Sequence, residues 1–357
     1  PNYGAFVYTL MQELGKQHEI TIISPYKVHN LLKKKKKTYG KERCRVFRPL
    51  FYSFSNKKIL NIDFGKISSI LYKKAIVRVM RRLPEKFDLV YTHFLYNSKH
   101  VLEYISENNI PLIVASGESS FHYWDRIPEP LQTRLREKIT HLICVSNENK
   151  KELIKLGFDE NKMSVIPNAV NYSLFKPLDK PACKEKLNIP KEKFIVGFVG
   201  HFIHRKGPNR IIEAIKLLED QDIQLVCVGS RGELTPNTFT KILEPVPNYQ
   251  LPEIFNAFDV FVLPTLSEGH CNVIEEAKAC AIPVISSKGT SVQEQIDDTT
   301  GILINPLQIK EIADAISKLK NDFLLRESMV ENLIKRRGEN SIQERANKIS
   351  RILLQTV

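Results

Sequence analysis

Nine short runs of apolar and β-branched residues, separated by stretches with helical spacing, most constrain what this chain can become. In the first half they are EITIIS (19–24), FDLVYTH (87–93), IPLIVAS (110–116) and HLICVS (141–146). In the second half they are FIVGFVG (194–200), IQLVCVG (223–229), VFVLP (260–264), IPVISS (282–287) and GILIN (301–305). Continuous apolar runs joined by helices read as parallel strands covered on both faces, so the fold class is α/β with mainly parallel sheets. The segment 207–219 shows the helical spacing well, with Ile211, Ile212, Ile215 and Leu218 on one face. A length of 357 residues exceeds one typical domain. The Pro- and Lys-rich stretch 171–193 reads as the crossover, giving units at 1–172 and 173–340 and a final helix at 341–357.

The opening PNYGAFVYTLMQELGKQ places Gly4 in a tight turn before a helix over 5–17, with no strand ahead of it. A βα unit needs that strand, so a first strand is expected upstream of residue 1. Charge is unevenly placed. Residues 1–100 hold 21 Lys and Arg against 6 Asp and Glu, while the other 257 residues nearly balance. Such asymmetry points to an anionic partner surface, either nucleic acid or an acidic membrane face. Lys33–Lys37 contributes, as does YKKAIVRVMRRL (72–83). That helix sets Tyr72, Ala75, Ile76, Val79, Met80 and Leu83 opposite Lys73, Lys74, Arg78, Arg81 and Arg82. No run is long enough to span a bilayer. The six cysteines lack zinc or C-x-x-C spacing and read as buried thiols in a reducing compartment, the cytoplasm.

Two constellations carry chemistry. In VGHFIHRKGPNRIIEAI (199–215), Gly200 ends a strand and Arg205 and Lys206 precede a helix opened by Pro208. Two cations beside a helix N-terminus, at the carboxyl end of a parallel strand, suit a diphosphate. In SEGHCNVIEEAKACAIPVI (267–285), Glu268, Glu275 and Glu276 could be surface charge, a metal site, an acid–base pair or a ligand clamp. Asn272 and Glu275 have the spacing of a capping box, which predicts a helix near 273–281 started by Glu275. The amides of Gly269 through Val273 would then face the crevice. Asp220-Gln221-Asp222 spells D-x-D but falls at the amino end of a strand, so it reads as a turn and no metal site is expected.

Glu268 and Glu276 have the E-x7-E spacing of family 4 retaining glycosyltransferases. The chain resembles that family in four ordered segments: ICVSNENKKELIKLGFDENKMSVIPNAVNYSLFKP, VGHFIHRKGPNRIIEAI, LPEIFNAFDVFVLPTLSEG and EEAKACAIPVISS. The resemblance implies the GT-B fold, two Rossmann-like domains facing each other across a donor/acceptor cleft. The acceptor would bind the first domain and the nucleotide sugar the second, with the final helix packing back on the first domain. By the same resemblance, Arg205 and Lys206 would hold the donor diphosphate and Glu268 the donor-sugar hydroxyls. The backbone of Gly269, His270, Cys271, Asn272 and Val273 would assist, Glu276 would hold the ribose, and Gly4 and Gly200 would line the phosphate path. The base would sit near LEPVP (243–247). Family members transfer the sugar with retention and without a required metal or cofactor.

On the acceptor side, His93 ends its strand at the cleft rim. Glu118 stands near where relatives place a His, and is the expected group facing the reacting carbon. Ala169 and Ala281 occupy positions where the family carries Gly, and Ala281 would cost about 1 kcal/mol if held left-handed at a helix end. The leading expectation is a glycosyltransferase of surface polysaccharide or glycolipid synthesis, working on a glycan or lipid-linked acceptor at the inner membrane face. The alternatives are an enzyme making a small glycoside or disaccharide, and a basic nucleic-acid-binding protein. The last is disfavoured because no aromatic–basic binding motif accompanies the charge.

Overall fold

The computed structural model describes residues 5–31, 44–54, 58–59, 62–230, 232, 234–235 and 237–357. Gly4 and Lys33–Lys37 lie outside them. The architecture is GT-B, two α/β domains facing each other.

The second domain is built on a parallel sheet of six strands. Their spatial order is Thr240–Leu243, Ile223–Val228, Phe194–Val199, Val260–Leu263, Val284–Ser287, Gly301–Ile304. All six residues of Phe194–Val199 and all four of Val260–Leu263 are buried, as strands covered by helices on both faces must be. Each fully buried Val, Ile or Phe here contributes about 1.5–3 kcal/mol through loss of apolar surface to water. Chain order reverses between Phe194–Val199 and Val260–Leu263, so the loops after these strands diverge and open a crevice at their carboxyl ends. Thr240–Leu243, an edge strand with little apolar run, was not among the expected strands.

In the first domain Met163–Val165, Ile139–Cys144, Leu112–Ser116 and Val90–His93 form a parallel four-stranded sheet in that order. Thr21–Ile23 and Arg45–Phe47 pair separately, also in parallel. Helix Phe64–Arg82 buries Ala75, Ile76 and Met80 against this domain's core. Its apolar side is therefore not free to enter a membrane. Lys73 and Arg81 pair with Glu103 and Glu107 of a neighbouring helix, while Lys74, Arg78 and Arg82 are exposed with no ion pair among the described residues.

The last helix, Ile342–Thr356, lies on the first. Ile342, Ala346, Ile349 and Leu353 pack with Leu10, Met11 and Leu14, and His18 Nε2 meets Ser350 Oγ at 2.7 Å. Where the chain crosses between domains, Val170 N donates to Asn340 O at 3.1 Å and Ile342 N to Val170 O at 3.2 Å. The two crossings thus run bonded side by side.

Helix Asn272–Ala279 ends in a Schellman arrangement. Ile282 N reaches Ala277 O at 3.0 Å and Ala281 N reaches Lys278 O at 2.9 Å, with Ala281 left-handed at φ 58°. An L side chain is strained in that region. Ala281→Gly is expected to stabilise the protein by up to about 1 kcal/mol, read as a later urea midpoint at unchanged slope.

Candidate active site

The crevice at the carboxyl ends of the second sheet is a cavity of about 340 Å³. Gly200 and Lys206 line one wall, Glu268, Cys271 and Val273 another, and Pro245 and Val246 a third. A second depression of about 550 Å³ beside Phe323 and Leu324 shares no lining residue with it. The cavity exists because two strand ends approach closely. A Cβ on Gly229 would stand 1.7 Å from Gly200 O, so only glycine fits there.

One carboxylate organises the cations. Glu268 Oε1 accepts from Arg205 Nη1 at 2.7 Å, from Lys206 Nζ at 2.5 Å and from Thr265 Oγ1 at 3.1 Å. Arg205 Nη1 also donates to Ser267 O. Burial opposes the charge of Lys206, but the Glu268 carboxylate against it holds its pKa above the usual lysine value. Burial pushes the Cys271 thiol up to about 12, so it stays a thiol. Two cations on one carboxylate leave net positive charge at the rim, where a diphosphate would lie.

Glu276 is the other notable carboxylate. Its Oε1 accepts from Asn248 Nδ2 at 2.9 Å, while Oε2 is sealed from water with no partner among the described residues. Burial raises its pKa to about 7, against the pull of the Asn248 bond. Asn272 Oδ1 is likewise enclosed and unpartnered. Buried acceptors without donors are costly, and a diol ligand would satisfy them.

The expected capping box is absent. Cys271 is the N-cap, and Asn272 is the first helical residue. Glu275 instead takes a hydrogen bond from Gln295 Nε2 at 2.8 Å and lies 3.6 Å from Lys278 Nζ. Its side chain is 3% exposed because it points into the domain rather than back to the helix start. The Cys271 amide is not open to the crevice either, since it donates to Gln295 Oε1 at 2.8 Å. His270 lines the cavity. Its ring is buried, burial lowers its pKa to about 4, and its carbonyl accepts from Asn168 Nδ2 at 3.4 Å.

Across the cleft, Gly269 packs on the first domain, where a Cβ would meet Gly117 O at 2.6 Å and Glu118 O at 2.7 Å. The Glu118 carboxylate turns away from this seam. It accepts from Leu95 N at 2.5 Å, Ser116 Oγ at 2.7 Å, Tyr123 OH at 2.9 Å and Gly117 N at 3.0 Å. Four donors occupy its lone pairs, so the carboxylate is committed within the first domain and does not stand free to face a reacting carbon as expected. His93 is neutral, with its pKa lowered to about 3 by burial and by Arg345. Both ring nitrogens are enclosed without partners among the described residues, between the rings of Phe6 and Phe94. Asp220 of the D-x-D pairs with Lys320 and accepts the Asp222 amide at 2.9 Å, at the amino end of strand Ile223–Val228.

Asn248, Thr265, Gln295 and Asn168 were not singled out from sequence. All four are neutral polar residues whose role comes from a partner 24 to 102 positions away or from a three-residue loop contact, and no spacing rule reveals it.

Residues 4–174 match the model described as Glycosyltransferase Family 4, and residues 179–336 match that of Glycosyl transferases group 1. A Bacillus subtilis glycosyltransferase assigned to teichuronic acid biosynthesis is 26% identical over 93% of this chain and 89% of its own length. The Escherichia coli UDP-Gal:alpha-D-GlcNAc-diphosphoundecaprenol alpha-1,3-galactosyltransferase is 29% identical over 80% of this chain and 79% of its own. A Staphylococcus aureus capsular polysaccharide biosynthesis glycosyltransferase is 30% identical over 57% and 59%. Among solved structures, sucrose-phosphate synthase from Thermosynechococcus elongatus superposes with a TM-score of 0.82 at 17% identity, covering 99% of this chain and 93% of that one. The Anabaena protein HepE in complex with UDP and glucose does so at 0.76 and 15%, covering 99% and 96%. At such identities the likeness is one of fold.

Proposed function

This chain belongs to glycosyltransferase family 4, and from that premise we propose that it moves a sugar, with retention, from a nucleotide-diphosphate sugar to a glycan or lipid-linked acceptor. One observation carries the reading. A paired-cation rim, in which Lys206 lines the crevice and Arg205 shares its Glu268 partner, stands beside helix Asn272–Ala279, whose Asn272 lines the same crevice and whose Glu276 keeps an enclosed carboxylate oxygen one turn on. The first suits a diphosphate and the second a ribose diol.

In this reading the anomeric C–O bond to the diphosphate breaks while the acceptor oxygen bonds to the same carbon. The acceptor proton leaves with a departing phosphate oxygen. Arg205 and Lys206 meet the charge that grows on the leaving group, so no metal enters the scheme. Glu268 exchanges part of its hold on the cations for donor-sugar hydroxyls. Pro245 and Val246 offer the base an apolar wall. The glycine seam at Gly269 brings the two domains into contact beside the reacting groups and excludes water.

The acceptor side belongs to the first domain. Aromatic rings run in contact from Tyr123, which holds Glu118, through Tyr96 and His100 to Tyr72 and Phe51. Beyond them Leu50, Tyr52, Phe54 and Ile70 are exposed. With the cations Lys74, Arg78 and Arg82, this edge suits an acidic lipid surface, and we place the enzyme at the inner membrane face on that ground. The relatives named for teichuronic, capsular and diphosphoundecaprenol-linked products favour a polymer or lipid-linked acceptor. Relatives named D-inositol 3-phosphate glycosyltransferase, at 23–25% identity, favour the small-acceptor alternative.

Thermal unfolding with UDP, GDP and ADP tests the donor half. One of them is expected to stabilise the protein by about 2.7 kcal/mol at 100 times its dissociation constant. If none of the three shifts the transition and no sugar nucleotide is consumed, the reading is wrong.

A further inference from the structure

The short turn Ser291–Gln295 does three things at once. Ser291 Oγ donates to Glu268 O, at the head of the donor loop. Gln295 brackets Cys271, its Oε1 accepting the Cys271 amide at 2.8 Å and its Nε2 donating to the Cys271 carbonyl at 3.1 Å. The same Nε2 reaches Glu275, which fixes the helix that follows. Both side chains are buried and hold the loop 268–275 by its backbone.

Glu294, between them in sequence, points the other way, to the first domain. Its carboxylate accepts from Asn147 N at 2.8 Å, Asn147 Nδ2 at 2.9 Å and Glu148 N at 2.9 Å. These belong to the first turn of helix Asn147–Lys155, already capped by Ser146 through the Asn149 amide at 3.1 Å. The first amides of a helix have no partner inside it, and the helix dipole favours an anion there. Glu294 supplies that anion from the opposite domain. It is also exposed, so water can replace Asn147 and Glu148 when the domains part, and the contact is reversible.

We propose that the turn Ser291–Gln295 couples domain contact to the shape of the donor loop, with Glu294 as a positioning residue. With Glu294 seated on helix Asn147–Lys155, Ser291 and Gln295 hold Glu268 and Cys271 in one arrangement. With Glu294 released, the turn loses its outer anchor and the loop relaxes. The consequence for catalysis rests on the function proposed above: the donor site is assembled only when the acceptor domain is docked, which limits loss of donor to water.

Hydrogen exchange on the ligand-free protein tests the coupling without any substrate. In Glu294→Ala, amides in 145–150 and also in 268–276 are expected to exchange at least tenfold faster than in wild type. Faster exchange confined to 145–150 would reduce Glu294 to an ordinary helix cap and overturn the proposal. Glu294→Gln, which keeps an acceptor oxygen, guards against a folding defect and is expected to give an intermediate effect in both segments. A kinetic arm follows the fraction of sugar nucleotide hydrolysed rather than transferred, expected to rise severalfold in Glu294→Ala while the affinity for nucleoside diphosphate stays within threefold. Wild type that binds no nucleoside diphosphate would sink the enzyme reading and leave the exchange result standing.

Discussion

Lys206→Ala is expected to leave a folded protein whose sugar transfer is about 10²–10³-fold slower. The ammonium is 12% exposed and shares Glu268 Oε1 with an Arg205 that is 36% exposed. The more enclosed charge acts through less water, so Lys206 should outweigh Arg205. Its pKa lies above the usual lysine value because the Glu268 carboxylate counters the burial that opposes the charge, and it is therefore cationic at any working pH. Negative charge on the departing diphosphate grows as the anomeric bond breaks, so the loss should fall on kcat more than on KM. Lys206→Arg keeps the charge but brings a wider planar head to a site bounded by Cys271 Sγ at 3.9 Å, and should recover only part of the rate. Initial rates at saturating donor decide this. A kcat within twofold of wild type in Lys206→Ala would remove this lysine from leaving-group stabilisation.

Glu276→Gln should separate stability from binding. The carboxyl titrates near 4.5 when unfolded and near 7 in the folded protein. Between those values the folded state holds a proton that the unfolded state has lost, so stability falls as pH rises through that window. The loss totals about 3 kcal/mol once both forms are ionised. Gln carries no charge to bury and can still accept from Asn248. Chemical denaturation at pH 8 should therefore show Glu276→Gln more stable than wild type, and the pH 5 to 8 decline should largely vanish. Nucleotide affinity should move the other way. A charged acceptor for ribose hydroxyls is replaced by a neutral one, which weakens binding by about 10- to 100-fold. Wild-type affinity should also improve as pH rises through 7. A variant that binds nucleoside diphosphate as tightly as wild type would detach Glu276 from the ribose.

The fold was readable because its strands are apolar on both faces. Phe194–Val199 and Val260–Leu263 could not be mistaken for half-exposed strands, and the helix opened by Pro208 announced itself through Ile211, Ile212 and Ile215. Thr240–Leu243 escaped because an edge strand needs only one neighbour and carries Thr and Lys. At the site, charge was easier to see than wiring. Arg205, Lys206 and Glu268 do converge, and the left-handed Ala281 was foreseeable from its place after a helix and before Pro283. Glu275 and Glu118 were misread for a common reason. The donors, Gln295 to Glu275 and Leu95, Ser116, Gly117 and Tyr123 to Glu118, are brought in by the fold, and a carboxylate's place in the sequence does not say which way it will turn.

The side-by-side crossings at Val170 and Asn340–Ile342 bear on how the chain is made. The first domain completes its core only when helix Ile342–Thr356 arrives to cover Leu10, Met11 and Leu14. On the ribosome that helix emerges after the whole second domain, so the groove it fills stays open and apolar while roughly 170 further residues are translated. The half of the protein that starts folding first is therefore the half that finishes last, and for that interval it is the part most dependent on chaperones.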